Sequence, residues 1–243
     1  MTIQNLFAAL LLLTFLVLPG VSQEPLSDAR ESINRGNGFV ARGEYEQALK
    51  EYARVGPDSG ETYSIALYNA GVCYYELWRT TEAIDYYRRA VDEHKGRYAQ
   101  ASYALGVALE DEGRLREAKA AYEQALAAAH GDYARADFRL GLIAGNSGDV
   151  QEAIVLFRKA LNRSGEHVIA SHNNLGVMLA RMRRLKEAEK EFATALRLSN
   201  GEFPNAAHNL ELCRRLMGGI GEADVALLRM TQAPLVDDMF RRQ

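Results

Sequence analysis

Residues 104–126 read ALGVALEDEGRLREAKAAYEQAL, and the same arrangement of residue types recurs every 35 residues along the chain. Each copy opens with a glycine in an apolar stretch, followed twelve residues later by an alanine and four residues after that by an aromatic residue. A spacing of four places the alanine and the aromatic residue on one helical face. We therefore predict two antiparallel helices per copy, which approach closely at the glycine, with the aromatic ring filling the space above the crossing.

The repeat can be followed through five full copies. The glycines and their matching aromatic residues are Gly36 and Tyr52, Gly71 and Tyr87, Gly106 and Tyr122, Gly141 and Phe157, and Gly176 and Phe192. Seven residues after this glycine position, each hairpin is expected to turn. Glycines stand there in the first, third, fourth and sixth copies, as Gly43, Gly113, Gly148 and Gly218. Glycine suits such a turn because it adopts backbone conformations that other residues avoid. Trp78 and Arg183 occupy the same position in the second and fifth copies, so we expect those two turns to differ.

This pattern resembles the tetratricopeptide repeat family, whose members carry an apolar-Gly pair in the first helix and Ala, aromatic and Ala in the second. The resemblance implies an all-α fold, a right-handed α-solenoid of stacked helix-turn-helix hairpins. It divides the chain into repeat units at 29–63, 64–98, 99–133, 134–168 and 169–203, with 204–230 as a degenerate sixth unit or cap. We expect 23–28 to be a linker and 231–243 a flexible tail.

The N-terminal segment 1–22 stands apart from the repeats. Its apolar run, broken only by Thr14, is shorter than the roughly 20 residues of a membrane-spanning helix. The run and the small residues after it fit a signal peptide cut before Gln23. No Lys or Arg precedes Arg30, however, so an uncleaved N-terminal membrane anchor stays open. We expect an exported protein, periplasmic or secreted, or alternatively one anchored to the membrane by this segment.

Composition and motifs argue against several functions. The net charge of −3 over 243 residues gives no basic field for binding nucleic acid. The spacing of the histidines matches no metal-binding or catalytic motif, so we predict neither an enzyme nor a cofactor or metal site. Cys73 and Cys213 lie four repeats apart, too far for a disulfide, and are predicted to be free, buried thiols.

A row of asparagines is the strongest candidate for binding. The residue two places before each repeat glycine is expected to face the inner groove of the solenoid, and it is an asparagine in four of six copies: Asn34, Asn69, Asn174 and Asn209. An asparagine side chain offers one acceptor and two donors. The row is therefore suited to binding the backbone of an extended peptide without demanding a particular sequence.

Further groove candidates come from comparison with the carboxylate clamp of the family. Asn37 and Asn69 match its two asparagines, but its basic positions are not matched, so binding of that type is not expected. Instead the groove is predicted to be aromatic at its start and basic further on. The full set of candidate peptide-binding residues is Asn34, Asn37, Tyr68, Asn69, Arg135, Arg139, Asn173, Asn174 and Asn209.

The function predicted from the sequence is a non-catalytic scaffold. It binds an extended peptide or a protein partner in its groove, in the assembly or maintenance of an envelope or exported complex. A structural or carbohydrate-binding envelope protein, or a regulatory subunit of an enzyme complex, is the alternative.

Overall fold

The computed structural model describes residues 24–162, 167–219 and 222–232. The predicted signal peptide or anchor at 1–22 and most of the predicted tail lie outside the described residues. Throughout the described part the regular structure is helical. The first helices of the repeats are α1 (Glu24–Val40), α3 (Glu61–Glu76), α5 (Ala99–Asp111), α7 (Ala134–Ser147), α9 (Val168–Arg181) and α11 (Pro204–Met217). The second helices are α2 (Tyr45–Tyr52), α4 (Thr80–Glu93), α6 (Leu115–Ala128), α8 (Val150–Leu161) and α10 (Leu185–Leu198).

Each helix packs against the next along the chain, so that hairpins stack on hairpins in sequence order. Short 3₁₀ helices follow α2 at Pro57–Ser59 and α11 at Glu222–Leu227. The prediction of an all-α solenoid of stacked helical hairpins is confirmed.

The close crossing predicted at each glycine is also confirmed. A Cβ atom added to Gly106 would lie 2.5 Å from the ring of Tyr122, and one added to Gly141 would lie 2.8 Å from the ring of Phe157. Ordinary carbon contacts are about 3.5–4.0 Å. Both rings are fully buried. Only glycine therefore lets the second helix bring its aromatic ring against the backbone of the first.

The expectation that the turns at Trp78 and Arg183 differ is wrong. Both residues have φ 59°, in the same left-handed region as Gly113 at 71°. The end of the first helix requires this conformation. It costs a side-chain-bearing residue about 1–2 kcal/mol, and hairpin packing overcomes that cost. In the sixth unit the positive φ lies at Gly219 and not at Gly218, whose φ is −78°.

Both ends of the stack differ from the predicted division. Helix α1 already begins at Glu24, so the stretch expected as a linker forms its first turns. After α11 the described chain forms only the 3₁₀ helix Glu222–Leu227 where a second α-helix would stand. This unit has Glu211 and Leu227 at the glycine and aromatic positions, so it lacks the pair that packs the other hairpins.

The two cysteines are free and buried, as predicted. Burial raises the pKa of Cys73 to about 12, and burial also raises the pKa of Cys213. None of the helices in the described ranges has the length and apolar character needed to cross a membrane.

Candidate peptide-binding groove

The first helices α9 and α11 carry polar residues that hydrogen-bond to a later segment of the same chain. Asn173 and Asn174 on α9 and Asn209 on α11 are fully buried. What covers them is the chain itself: after the 3₁₀ helix, residues 228–232 run without regular structure across these two helices. We call these three asparagines the asparagine clamp and residues 228–232 the covering segment.

The clamp holds the backbone of the covering segment through paired hydrogen bonds. The Asn209 amide donates from Nδ2 to Arg229 O at 2.8 Å and accepts from Arg229 N at 2.8 Å. The Asn174 amide donates to Thr231 O at 2.9 Å and accepts from Thr231 N at 2.7 Å. Each side chain thus pairs with one residue as a neighbouring β-strand does. The two bound residues are two apart, which is the period of an extended chain.

Asn173 connects the two halves of the clamp. Its Nδ2 lies 3.0 Å from Arg229 O and 3.2 Å from Thr231 Oγ1, and its Oδ1 accepts from Asn209 Nδ2 at 2.9 Å. Asn205 donates to the same threonine hydroxyl at 3.1 Å. The clamp therefore recognises two backbone positions and one side-chain hydroxyl.

The position of Asn173 in the repeat explains why the site lies here. One, two and three repeats upstream, the same position holds Phe138, Tyr103 and Tyr68. Each of these rings packs against the repeat aromatic of its own unit, with centroids 5.5–5.9 Å apart. In the fifth unit an amide replaces the ring, and polar groups become available where the other units have a filled aromatic contact.

An apolar contact accompanies the polar ones. A Cβ atom added to Gly145 on α7 would lie 3.1 Å from the terminal methyl of Met230 and 3.3 Å from the sulfur of Met178. Gly145 therefore leaves a niche for the Met230 side chain. Leu228, at the start of the covering segment, is buried in the main hydrophobic core.

The candidates Asn34, Asn37 and Asn69 lie at the other end of the stack, in the first two units. Asn34 is exposed. Asn37 Oδ1 accepts hydrogen bonds from Tyr52 Oη at 2.7 Å and from Asn69 Nδ2 at 3.1 Å. Asn37 and Asn69 therefore join neighbouring units to each other.

The predicted aromatic and basic surfaces are largely interior. Tyr68 is 7% exposed and packs against Tyr98, with ring centroids 5.3 Å apart. Burial raises its pKa, and the nearby Arg135 opposes this effect. Because Tyr68 is a packing residue, the expectation that the groove is aromatic at its start does not match the structure.

Arg139 is a buried residue. Its side chain is 2% exposed, and its Nη1 lies 3.8 Å from the carboxylate of Glu110. Burial disfavours the charged form of Arg139 and so lowers its pKa. The hydroxyls of Tyr103 and Tyr122 and the carboxylate of Glu110 outweigh this effect and hold the pKa of Arg139 above its usual value. Arg139 therefore contributes its charge to the interior and not to an exposed basic surface.

Sequence reasoning missed Asn205 on α11, which holds the covering segment, and it missed Arg229, Met230 and Thr231 on the ligand side. Nothing in the local sequence of residues 229–231 marks them as a bound segment. The histidines also have structural contacts: His172 Nδ1 lies 2.6 Å from Glu191, and His167 stacks on Phe138. The part of the chain that the structure describes contains no cluster of three metal-ligating side chains.

Comparison with known proteins covers most of the described chain. Residues 33–102 and 103–168 match a family model described as tetratricopeptide repeat, and residues 168–200 match a second model with the same description. No curated protein matches.

Several solved structures have a similar fold. MamA from Desulfovibrio magneticus RS-1 is 24% identical, with a TM-score of 0.60 over 72% of this chain and 97% of that one. YrrB, titled a TPR protein with an unusual peptide-binding site, is 23% identical, with a TM-score of 0.59 over 76% and 92%. The pilF protein of Pseudomonas aeruginosa is 17% identical, with a TM-score of 0.67 over 84% and 90%.

At these identities the structural likenesses support the fold alone. The family models cover more than half of the sequence, and they fall on the same units that the glycine–aromatic crossings define. The chain belongs to the tetratricopeptide repeat family.

Proposed function

We propose that this chain is a non-catalytic scaffold whose asparagine clamp binds an extended segment of a partner protein. Its fold is that of a protein–protein interaction scaffold, and tetratricopeptide repeat proteins bind protein or peptide partners. Proteins of this family are generally non-catalytic. The contact between the clamp and the covering segment supports the clamp as the place where a partner binds.

The observation that carries the proposal is the double pairing of Asn174 and Asn209 with the backbone of Thr231 and Arg229. All four of these hydrogen bonds use main-chain groups of the bound segment. Any residue except proline supplies the same donor and acceptor. The clamp is therefore suited to many extended sequences.

The strength of the contact can be bounded. Each hydrogen bond contributes about 0.5–1.5 kcal/mol net, so four give roughly 2–6 kcal/mol. This corresponds to a dissociation constant no tighter than tens of micromolar. We therefore expect a partner to bind reversibly, or to add side-chain contacts such as the one Met230 makes with Gly145.

The proposal is tested with a fluorescent peptide of residues 226–232, ALLRMTQ, and the full-length protein. Because the covering segment occupies the clamp, binding is measured by anisotropy on Met230→Asp/Thr231→Pro protein, which we call the released variant. The proline removes the N–H that Asn174 accepts, and the aspartate places a charge in the niche at Gly145.

Adding Asn174→Ala and Asn209→Ala to the released variant should weaken peptide binding at least about tenfold, since four hydrogen bonds are lost. Asn146→Ala, an exposed asparagine on α7, is the matched control and should change nothing. Methylating the peptide nitrogens that correspond to Arg229 and Thr231 should weaken binding similarly. The proposal fails if the released variant does not bind the peptide, or if binding is indifferent to both asparagines.

We further propose that the scaffold acts in an exported or envelope complex. The support is the apolar N-terminal run followed by small residues, in a segment outside the described residues. Sequencing the N-terminus of the mature protein tests this proposal. A mature chain beginning at Gln23 and recovered from an exported fraction supports it, and a cytoplasmic protein that retains Met1 contradicts it.

A further inference from the structure

The covering segment has two properties that a segment resting on the surface by chance would not need. It uses the donor and acceptor of both Asn174 and Asn209, so it saturates the groups that would bind a partner's backbone. It also satisfies Asn173 with its threonine hydroxyl and a carbonyl. With the segment in place, all three asparagines are fully buried.

We propose that the covering segment is an internal ligand that closes the asparagine clamp, and that a partner binds by displacing it. This inference rests on the proposed function and deepens it, because it also names the class of peptide that competes. The competitor is an extended segment with an unbranched apolar side chain followed directly by threonine or serine. That pair corresponds to Met230 and Thr231.

The apolar preference follows from the niche at Gly145. A Cβ atom added to Gly145 would lie 3.1 Å from the Met230 methyl and 3.3 Å from the Met178 sulfur, so both methionine side chains lie against the face of Gly145. Flexible, unbranched side chains fit irregular apolar gaps of this kind. A charged side chain would be buried there without a partner, which disfavours it strongly.

The hydroxyl preference follows from the two amides aimed at Thr231 Oγ1. Asn173 donates to this oxygen at 3.2 Å and Asn205 at 3.1 Å. A valine at this position would leave both donors facing a methyl group. Threonine and serine are the two residues that supply an acceptor at this distance from the backbone.

Closure by such a short segment is physically reasonable because it is tethered. The segment follows α11 by only ten residues, from Gly218 to Leu227. A short tether gives an effective concentration in the millimolar range. A contact with an intrinsic dissociation constant of about 100 μM or tighter is then mostly closed, and the apparent affinity for a competing peptide falls about tenfold or more.

The test compares the ALLRMTQ peptide on wild-type protein and on the released variant, both full length. The control variant Leu227→Asp adds the same negative charge at an exposed position just before the covering segment. We expect the released variant to bind the peptide at least about tenfold more tightly than the wild type, and the control variant to match the wild type. Peptides carrying Val for the threonine, or Asp for the methionine, should bind the released variant at least about tenfold more weakly.

Hydrogen exchange gives an independent reading of closure. The amides of Arg229 and Thr231 in the wild type should exchange slowly, because Asn209 and Asn174 accept their hydrogen bonds. Arg229 should lose this protection in the released variant, and in the wild type at saturating peptide.

Three results would overturn the inference. Equal peptide affinity in the wild type and the released variant refutes closure while leaving the clamp as a binding site. Absence of binding to the released variant refutes the proposed function as well. A concentration-dependent dimer that dissociates in the released variant, detected by sedimentation, would mean that the segment occupies the clamp of a second copy.

Discussion

Gly36 and Gly38 lie two residues apart on α1. A methyl group added at Gly36 would clash with a neighbouring side chain, whereas one added at Gly38 would not. A Cβ atom on Gly36 would lie 2.4 Å from Cε1 of Tyr52. On Gly38 the nearest heavy atom is a guanidinium nitrogen of Arg42 at 3.8 Å, which is ordinary contact. The pair therefore separates the packing role of a repeat glycine from the general effect of glycine in a helix.

The magnitudes follow from these distances. Replacing glycine by alanine inside a helix stabilises it by about 0.5–1 kcal/mol, and this gain applies at both positions. At Gly36 the methyl would be more than about 1 Å closer than a normal contact. The Tyr52 ring is 3% exposed and its hydroxyl bonds Asn37, so it has little freedom to withdraw. Overpacking of this kind costs typically 1–3 kcal/mol, occasionally more.

We expect Gly36→Ala to lower the free energy of unfolding by about 1–2 kcal/mol and Gly38→Ala to raise it by about 0.5–1 kcal/mol. Urea denaturation followed by circular dichroism measures both. Units at the end of a repeat array can unfold separately. Hydrogen exchange of the amides in α1 and α2 should therefore be measured alongside the urea denaturation. If Gly36→Ala is as stable as Gly38→Ala, the close crossing is not what selects glycine, and the packing argument for all five units fails.

Three further predictions concern single side chains. Trp78→Gly should raise the free energy of unfolding by about 1 kcal/mol in urea denaturation, because the residue has φ 59° and its side chain is 89% exposed. Tyr52→Phe should lower it by about 1 kcal/mol, since the hydroxyl that donates to Asn37 is lost. Burial raises the pKa of Cys73 from 9.0 to about 12. As pH rises, the thiol therefore ionises in the unfolded chain before it ionises in the folded protein. The free energy of unfolding should consequently fall between about pH 9 and pH 12. Cys73→Ala should remove that part of the pH dependence, with a slope of at most about 1.4 kcal/mol per pH unit.

The sequence predicts most of the fold because each packing contact is repeated. The glycine and the aromatic residue of the crossing appear five times with the same spacing. A match in one unit could arise by chance, but the same match in all five units could not. The turns at Trp78 and Arg183 show where such reasoning fails. Residue type indicated a different turn, but the packing of the two helices dictates the left-handed backbone whatever residue occupies the position.

The site was predictable in part. Asn174 and Asn209 were found from their register on the first helices, and the structure brings them together with Asn173. Their occupant could not be found in the same way. The residues of the covering segment lie 20 to 58 residues from the asparagines that bind them. The segment's own sequence has no periodicity that predicts an extended bound chain.

Asn173 is a departure from the repeat that places polar groups where the other units have an aromatic ring. In units two to four an aromatic residue at this position is buried and packs against the repeat aromatic of its own unit. In unit five the ring is absent, and three amides share the space. The sixth unit lacks a second α-helix among the described residues, so its chain is available to cover those amides. A buried, unsatisfied amide costs about 1–3 kcal/mol, and the clamp holds three. The two departures therefore depend on each other: the buried asparagines require a polar occupant, and the chain that forms no second α-helix supplies one.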